Sequence, residues 1–143
     1  MATINLAPVV GAISLLIACA QPVMAATYFR QMSGEIGLNS SFQTILSVNV
    51  PSGNWVIDAK AIGGEGISNP TTVECDIVVN GTTVDKSQIG FTGSDQGETM
   101  MIVNMAAATV TTSSTIALAC DTSLDGFLSG TTSLIVRPAE SLK

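Results

Sequence analysis

Apolar and polar residues alternate along most of this chain with the two-residue period of a β-strand. The clearest run is Trp55–Ile62, where Trp55, Ile57, Ala59 and Ala61 point one way and Asp58 and Lys60 the other. In Thr71–Val79 the residues Val73, Cys75, Ile77 and Val79 share a face, and in Thr115–Cys120 so do Ile116, Leu118 and Cys120. Further strands are predicted over Thr27–Ser33, Phe42–Val50, Thr82–Ile89, Glu98–Ala106 and Thr132–Arg137. The pattern gives about eight strands and no helix, the spacing of an antiparallel sandwich or jelly roll.

Turn chemistry separates these runs. Pro51-Ser52-Gly53 is a turn, and Asn80-Gly81 is the strongest short hairpin signal, because a type I′ turn needs positive φ at both central residues. Residues 34–41, 63–70, 90–97 and 121–130 read as loops, the second and third rich in glycine. Glu98–Ala106 is apolar on both faces, so its orientation is not set by pattern. The ordinary role of its Met100, Met101 and Met105 is flexible core filling. An immunoglobulin-like sandwich is the nearest rival fold, but its tryptophan lies between two cysteines, and Trp55 precedes both Cys75 and Cys120.

The first 25 residues read differently. Ile4 to Ala18 is almost entirely apolar, and Val23 and Ala25 are small residues placed for a cut before Ala26, the pattern of a signal peptide. Residues 1–18 hold no Lys or Arg, a departure from that pattern. The expected organisation is a signal peptide over 1–25 and one β-sandwich domain over 26–143, secreted or at the cell surface. Leu16-Ile17-Ala18-Cys19 also resembles a lipobox, which would make Cys19 a lipid anchor. A retained membrane anchor is disfavoured by Pro8, Pro22 and the modest apolar length, so no span is expected in the mature chain.

The cut leaves two cysteines, and two cysteines on the inward faces of strands in an exported domain are most simply a disulfide, Cys75–Cys120. The bland alternative is a pair of buried free thiols.

Charge narrows the partners. Five basic and 11 acidic residues give a net charge of −6, which speaks against nucleic acid and against anionic lipid surfaces. Charged residues are only 11% of the chain, so the surface is hydroxyl-rich and nearly neutral, as in extracellular β proteins. The chain has no histidine, which removes the commonest general base and metal ligand. Gly63-Gly64-Glu65-Gly66 lacks the Gly-Lys-Ser/Thr of a phosphate loop. No enzymatic activity and no cofactor are expected. Hard oxygen ligands from two acidic loops, Asp95 with Glu98 and Asp121 with Asp125, make weak calcium candidates, although neither has the spacing of an EF-hand and solvated turns explain both more simply.

The phrase Pro51-Ser52-Gly53-Asn54-Trp55 with Ala59-Lys60, the strand Val73-Glu74-Cys75-Asp76-Ile77, the strand ending in Cys120 and the closing Leu134-Ile135-Val136-Arg137 together resemble a family of small exported bacterial β-sandwich proteins. The architecture is similar to the C1q/TNF-like jelly roll. The resemblance implies a jelly roll that often self-associates and implies no catalytic residues. The aromatic pattern of C1q trimers is missing, with 4 Phe, 1 Tyr and 1 Trp. The expected function is that of an exported structural or interaction protein, self-associating or meeting another envelope or extracellular component. The alternative is a monomeric glycan- or calcium-binding module that uses the loops at 63–70, 90–97 and 121–130.

Overall fold

Asn80 and Gly81 take positive φ angles of 49° and 81°, as a tight two-residue hairpin demands. They join β5 (Thr71–Val79) to β6 (Thr82–Phe91), and the chain pairs outward from this hairpin in nested order. β4 (Gly53–Glu65) pairs with β7 (Thr99–Val110), β3 (Gln43–Val50) with β8 (Ser114–Thr122), and β1 (Tyr28–Ser33) with β10 (Thr131–Pro138). Two further pairings, β5 with β8 and β4 with β10, roll this long double ribbon into two sheets. All pairings are antiparallel. The computed structural model describes residues 26–66, 70–93 and 98–140, so the reading of residues 1–25 and of Asp95 falls outside the described residues.

Sheet A holds β1, β10 and β4, with β7 along the other edge of β4; sheet B runs β3-β8-β5-β6. Two short strands, β2 (Ile36–Gly37) and β9 (Gly126–Leu128), complete sheet A beside the end of β4. The described residues contain ten strands and no helix. This is a jelly-roll-like antiparallel sandwich, and the eight long strands are those the alternation predicts.

The core lies between the sheets. Trp55, Ile57, Ala59 and Ala61 of β4 are buried, as are Val73, Cys75 and Ile77 of β5, Ile116, Leu118 and Cys120 of β8, and Leu134 and Val136 of β10. The turn and tryptophan at the start of β4 form one unit. The Trp55 indole Nε1 donates to the Pro51 carbonyl at 3.2 Å, and Tyr28 meets the indole edge-on with centroids 5.6 Å apart. Small residues of β7 stand beside the largest of β4, with Ala108 opposite Trp55 and Ala106 opposite Ile57.

Cys75 and Cys120 are direct partners across β5 and β8, with Cα atoms 4.1 Å apart and the sulfurs bonded. Such a short separation marks the close, non-hydrogen-bonded kind of antiparallel pair. The bridge therefore lies within sheet B, not between the sheets. It staples one of the two pairings that roll the ribbon.

Four loop expectations are corrected, one of them by β6, which runs on through Gly90 to Phe91. β4 continues through Gly63-Gly64-Glu65 because the sheets converge there: a Cβ on Gly63 would lie 2.9 Å from Ile89 Cδ1 and 3.1 Å from Val73 Cγ1. Glycine here allows close packing and does not break the strand. Residues 34–41 contain β2, and residues 121–130 contain β9, while β8 runs on to Thr122 so that Asp121 is a strand residue. β7 also outlasts its expected end at Ala106 by four residues, reaching Val110.

Candidate interaction surface

The register with β4 fixes the phase of β7. Ile102, Asn104 and Val110 are buried facing sheet B, with Ala106 and Ala108 half-buried on the same side. Met101, Val103 and Met105 consequently point outward, and they are 60%, 52% and 66% exposed. This overturns the expectation of methionine as core filler. The core between the sheets is filled by branched aliphatics, and the flexible side chains lie on the solvent face.

Their neighbours extend an apolar surface across sheet A. The register sets Met105 beside Asp58, Asp58 beside Ile135, and Ile135 beside Phe29, which is itself half exposed. Met101 stands beside Ile62, and Val103 beside Lys60. Arg137 Nη2 meets Asp58 Oδ2 at 3.0 Å on this face, leaving Lys60 with no ion pair among the described residues. Long apolar side chains grouped outside a sheet, rimmed by a few polar groups, mark an interaction site more often than chance exposure does.

The free edge of β7 is capped at two points by side chains of β6. Asp85 Oδ2 accepts from the Met105 backbone N–H at 3.0 Å, and Ser87 Oγ donates to the Val103 carbonyl at 3.0 Å. Buried Asn104 tightens the same corner, its Nδ2 donating to the Cys75 carbonyl at 2.9 Å and to Asp85 Oδ2 at 3.2 Å. Edges left open template further strands; here two of the outward backbone groups are satisfied internally. The surface offered along β7 is its face, not its edge. Sequence reasoning missed Asn104, Asp85 and Ser87. A buried asparagine in a run of apolar residues was the available signal.

The outer face of sheet B has the opposite character. Glu74 and Asp121 are cross-strand partners, and Asp76 lies two residues along from Glu74. Lys86 Nζ reaches Glu74 Oε1 at 2.6 Å, and Thr83 Oγ1 donates to Asp76 Oδ2 at 2.9 Å, whereas Asp76 Oδ1 is buried without a partner among the described residues. Burial pushes the Asp121 carboxyl above its ordinary range, Glu74 and Asp76 push it further, and Lys86 opposes them. Lys86 is raised chiefly by its hydrogen bond to Glu74. Ala117 and Ala119 lie on the same face.

The calcium candidates do not converge. Glu98 and Asp125 each bond through the backbone to the end of β4, the Glu98 carbonyl accepting from the Glu65 N–H at 3.3 Å and the Asp125 carbonyl from the Gly66 N–H at 2.8 Å. Asp121 lies on the outer face of sheet B, in a different setting. Among the described residues no three carboxylates or thiols are arranged as a ligand set. Glu65 is fully buried, and neither of its carboxylate oxygens has a hydrogen-bond partner among the described residues.

No family model and no curated protein matches the chain. Solved structures do. The chain is similar to a protein of the T13 particle of infectious bursal disease virus, with a TM-score of 0.57 and 12% identity over 92% of this chain and 36% of that one. It is similar also to the same virus's Gx strain structure (TM-score 0.53, 12% identity, 99% and 38% covered) and to its VP2 subviral particle (0.53, 13%, 92% and 37%). The chain thus spans little more than a third of the length of these viral proteins. At such identity the likeness establishes the fold, a jelly-roll-like sandwich of the kind found in viral particles.

Proposed function

We propose that this protein is an exported, non-catalytic structural protein that associates with copies of itself at or outside the cell surface. The observation that carries the reading is the exposed apolar stripe Met101, Val103 and Met105 on the outer face of β7, whose edge is capped at Val103 and Met105. Two features support it. The sequence holds no histidine, and Cys75 and Cys120 are bonded to each other, so neither offers a thiol nucleophile. The similar solved structures belong to viral particles, which are assemblies. Export rests on the apolar leader and on the disulfide, a bond at home in oxidising compartments.

The full chain expressed with its leader, followed by light scattering over a concentration series, tests the reading. The expected result is a mass that rises with concentration, on a chain beginning at Ala26. A monomer at every concentration would sink self-association, and an acylated Cys19 would replace the free secreted form with a lipid-anchored one.

A further inference from the structure

We propose that copies associate head to tail, the outer face of sheet A in one copy seated on the outer face of sheet B in the next. The inference rests on the self-association reading and adds which surfaces meet. The two faces differ in charge. On sheet A, Asp58 is taken by Arg137, and Lys60 stands uncompensated within the apolar stripe. On sheet B, Lys86 is taken by Glu74, and among the described residues the carboxylates of Asp121 and Asp76 form no ion pair. Asp76 keeps one oxygen buried and unbonded, and Asp121 sits among like charges. Asp76 is itself buried, so one face has a surplus cation at Lys60 and the other a surplus anion at Asp121.

The shapes agree with the charges. Sheet A offers projecting methionines and a valine, and sheet B offers a low floor of Ala117 and Ala119, with Asp76 beside Ala119 and Asp121 two residues along the strand. Methionine adapts to such a floor through its three rotatable bonds. A pairing of two sheet A faces would bring Lys60 against a second copy of the same cation-bearing surface and would leave the anion of sheet B unanswered. Strand pairing through the middle of β7 is obstructed by Asp85 and Ser87, which occupy the Met105 N–H and the Val103 carbonyl.

Magnitude sets the strength. Four strands about 4.8 Å apart and about seven residues long at 3.4 Å each give a footprint of about 450 Å². A standard interface covers about 800 Å² on each partner, so the contact is weak and responds to concentration and salt. A head-to-tail contact uses different surfaces on each copy, and it builds rings or filaments instead of stopping at a dimer.

Charge reversal tests the pairing on protein expressed from the full chain. Lys60→Glu and Asp121→Lys are each expected to weaken association by about tenfold or more, since like charges then face each other. An equimolar mixture of the two variants restores it, and so does the double variant, because each new charge then meets its opposite. Thermal melts by circular dichroism confirm that both variants fold; Asp121→Lys relieves repulsion within sheet B and is expected to fold at least as well as the parent. If the parent associates and Asp121→Lys associates equally well, sheet B is not part of the contact and the head-to-tail arrangement is wrong, while self-association stands. Failure of the mixture to recover when both single variants are weakened also overturns the pairing. A parent that never associates removes both readings.

Discussion

Removing the Cys75–Cys120 bridge is expected to loosen the step that rolls the ribbon. The two cysteines are 45 residues apart in sequence and adjacent across β5 and β8. The nested pairs β5 with β6, β4 with β7, β3 with β8 and β1 with β10 all follow from one hairpin at Asn80-Gly81. The contacts of β5 with β8 belong to no such sequence, so their closure entropy is borne separately. With a loop of this length, chain-entropy arithmetic assigns the cross-link about 4 kcal/mol at 25 °C. Measured bridges often deliver less, and the expected loss in Cys75→Ala/Cys120→Ala is about 2–4 kcal/mol. Domains of this size hold only about 5–15 kcal/mol, so the change is a large part of the whole. With a urea dependence of about 1.5–2 kcal/mol/M, the midpoint falls by about 1–2.5 M. Urea melts of the oxidised parent, the reduced parent and the double variant supply the comparison. Reduced parent and variant should agree, both well below the oxidised form. A shared midpoint for all three, or two free thiols by labelling in the secreted protein, would refute the reasoning.

Three smaller predictions address local features. Gly81→Ala places a side chain at φ 81° and should cost about 1 kcal/mol in a denaturant melt, with an unchanged midpoint counting against the hairpin's role. Glu65→Met replaces a buried carboxylate, without a hydrogen-bond partner among the described residues, by an apolar chain of similar volume, and should stabilise by about 1–3 kcal/mol; a loss would reveal a favourable partner for that carboxylate. Asp121 has a folded-state pKa raised above its usual 3.8, so the folded chain holds that proton more tightly than the unfolded chain. The resulting stability is complete below pH 3.8 and is lost as pH rises through the folded pKa. Asp121→Asn should therefore raise the melting midpoint at neutral pH, with the gain vanishing below pH 3.8; a gain that persists in acid would point to packing instead of charge.

Alternation and turn residues made the eight long strands legible, because each inward set on β4, β5 and β8 is strictly every second residue. The disulfide was legible from the inward phase of both cysteines. Its placement within one sheet was not, since phase alone does not say which strands are neighbours. β2 and β9, with two and three residues, are too short to show a period. Gly63 and Gly64 read as a loop because their reasons lie in distant segments: Val73 and Ile89 of the opposite sheet crowd Gly63, and Phe127 of β9 crowds Gly64. The interaction surface was hidden for a similar cause. Met101, Val103 and Met105 alternate with Ile102, Asn104 and Ala106, and two nearly apolar faces carry no inward or outward label. Pairing that run with Trp55–Ile62 would have supplied one, since Ala106 and Ala108 fit beside Ile57 and Trp55. The charge difference between the two sheet faces is likewise a product of register, which gathers Glu74, Asp76 and Asp121 from two distant segments.

The central claim is that the stripe on β7 is covered when copies associate. Methionine oxidation reads this directly, because peroxide converts exposed thioethers to sulfoxides at rates set by access. The protein is treated briefly with peroxide at a dilution where light scattering shows monomer and at a concentration where it shows assembly, and each methionine is quantified by mass spectrometry. Met101 and Met105 are expected to oxidise readily in the dilute sample and to be protected several-fold in the assembled one. Equal oxidation of Met101 and Met105 in both samples would contradict the account.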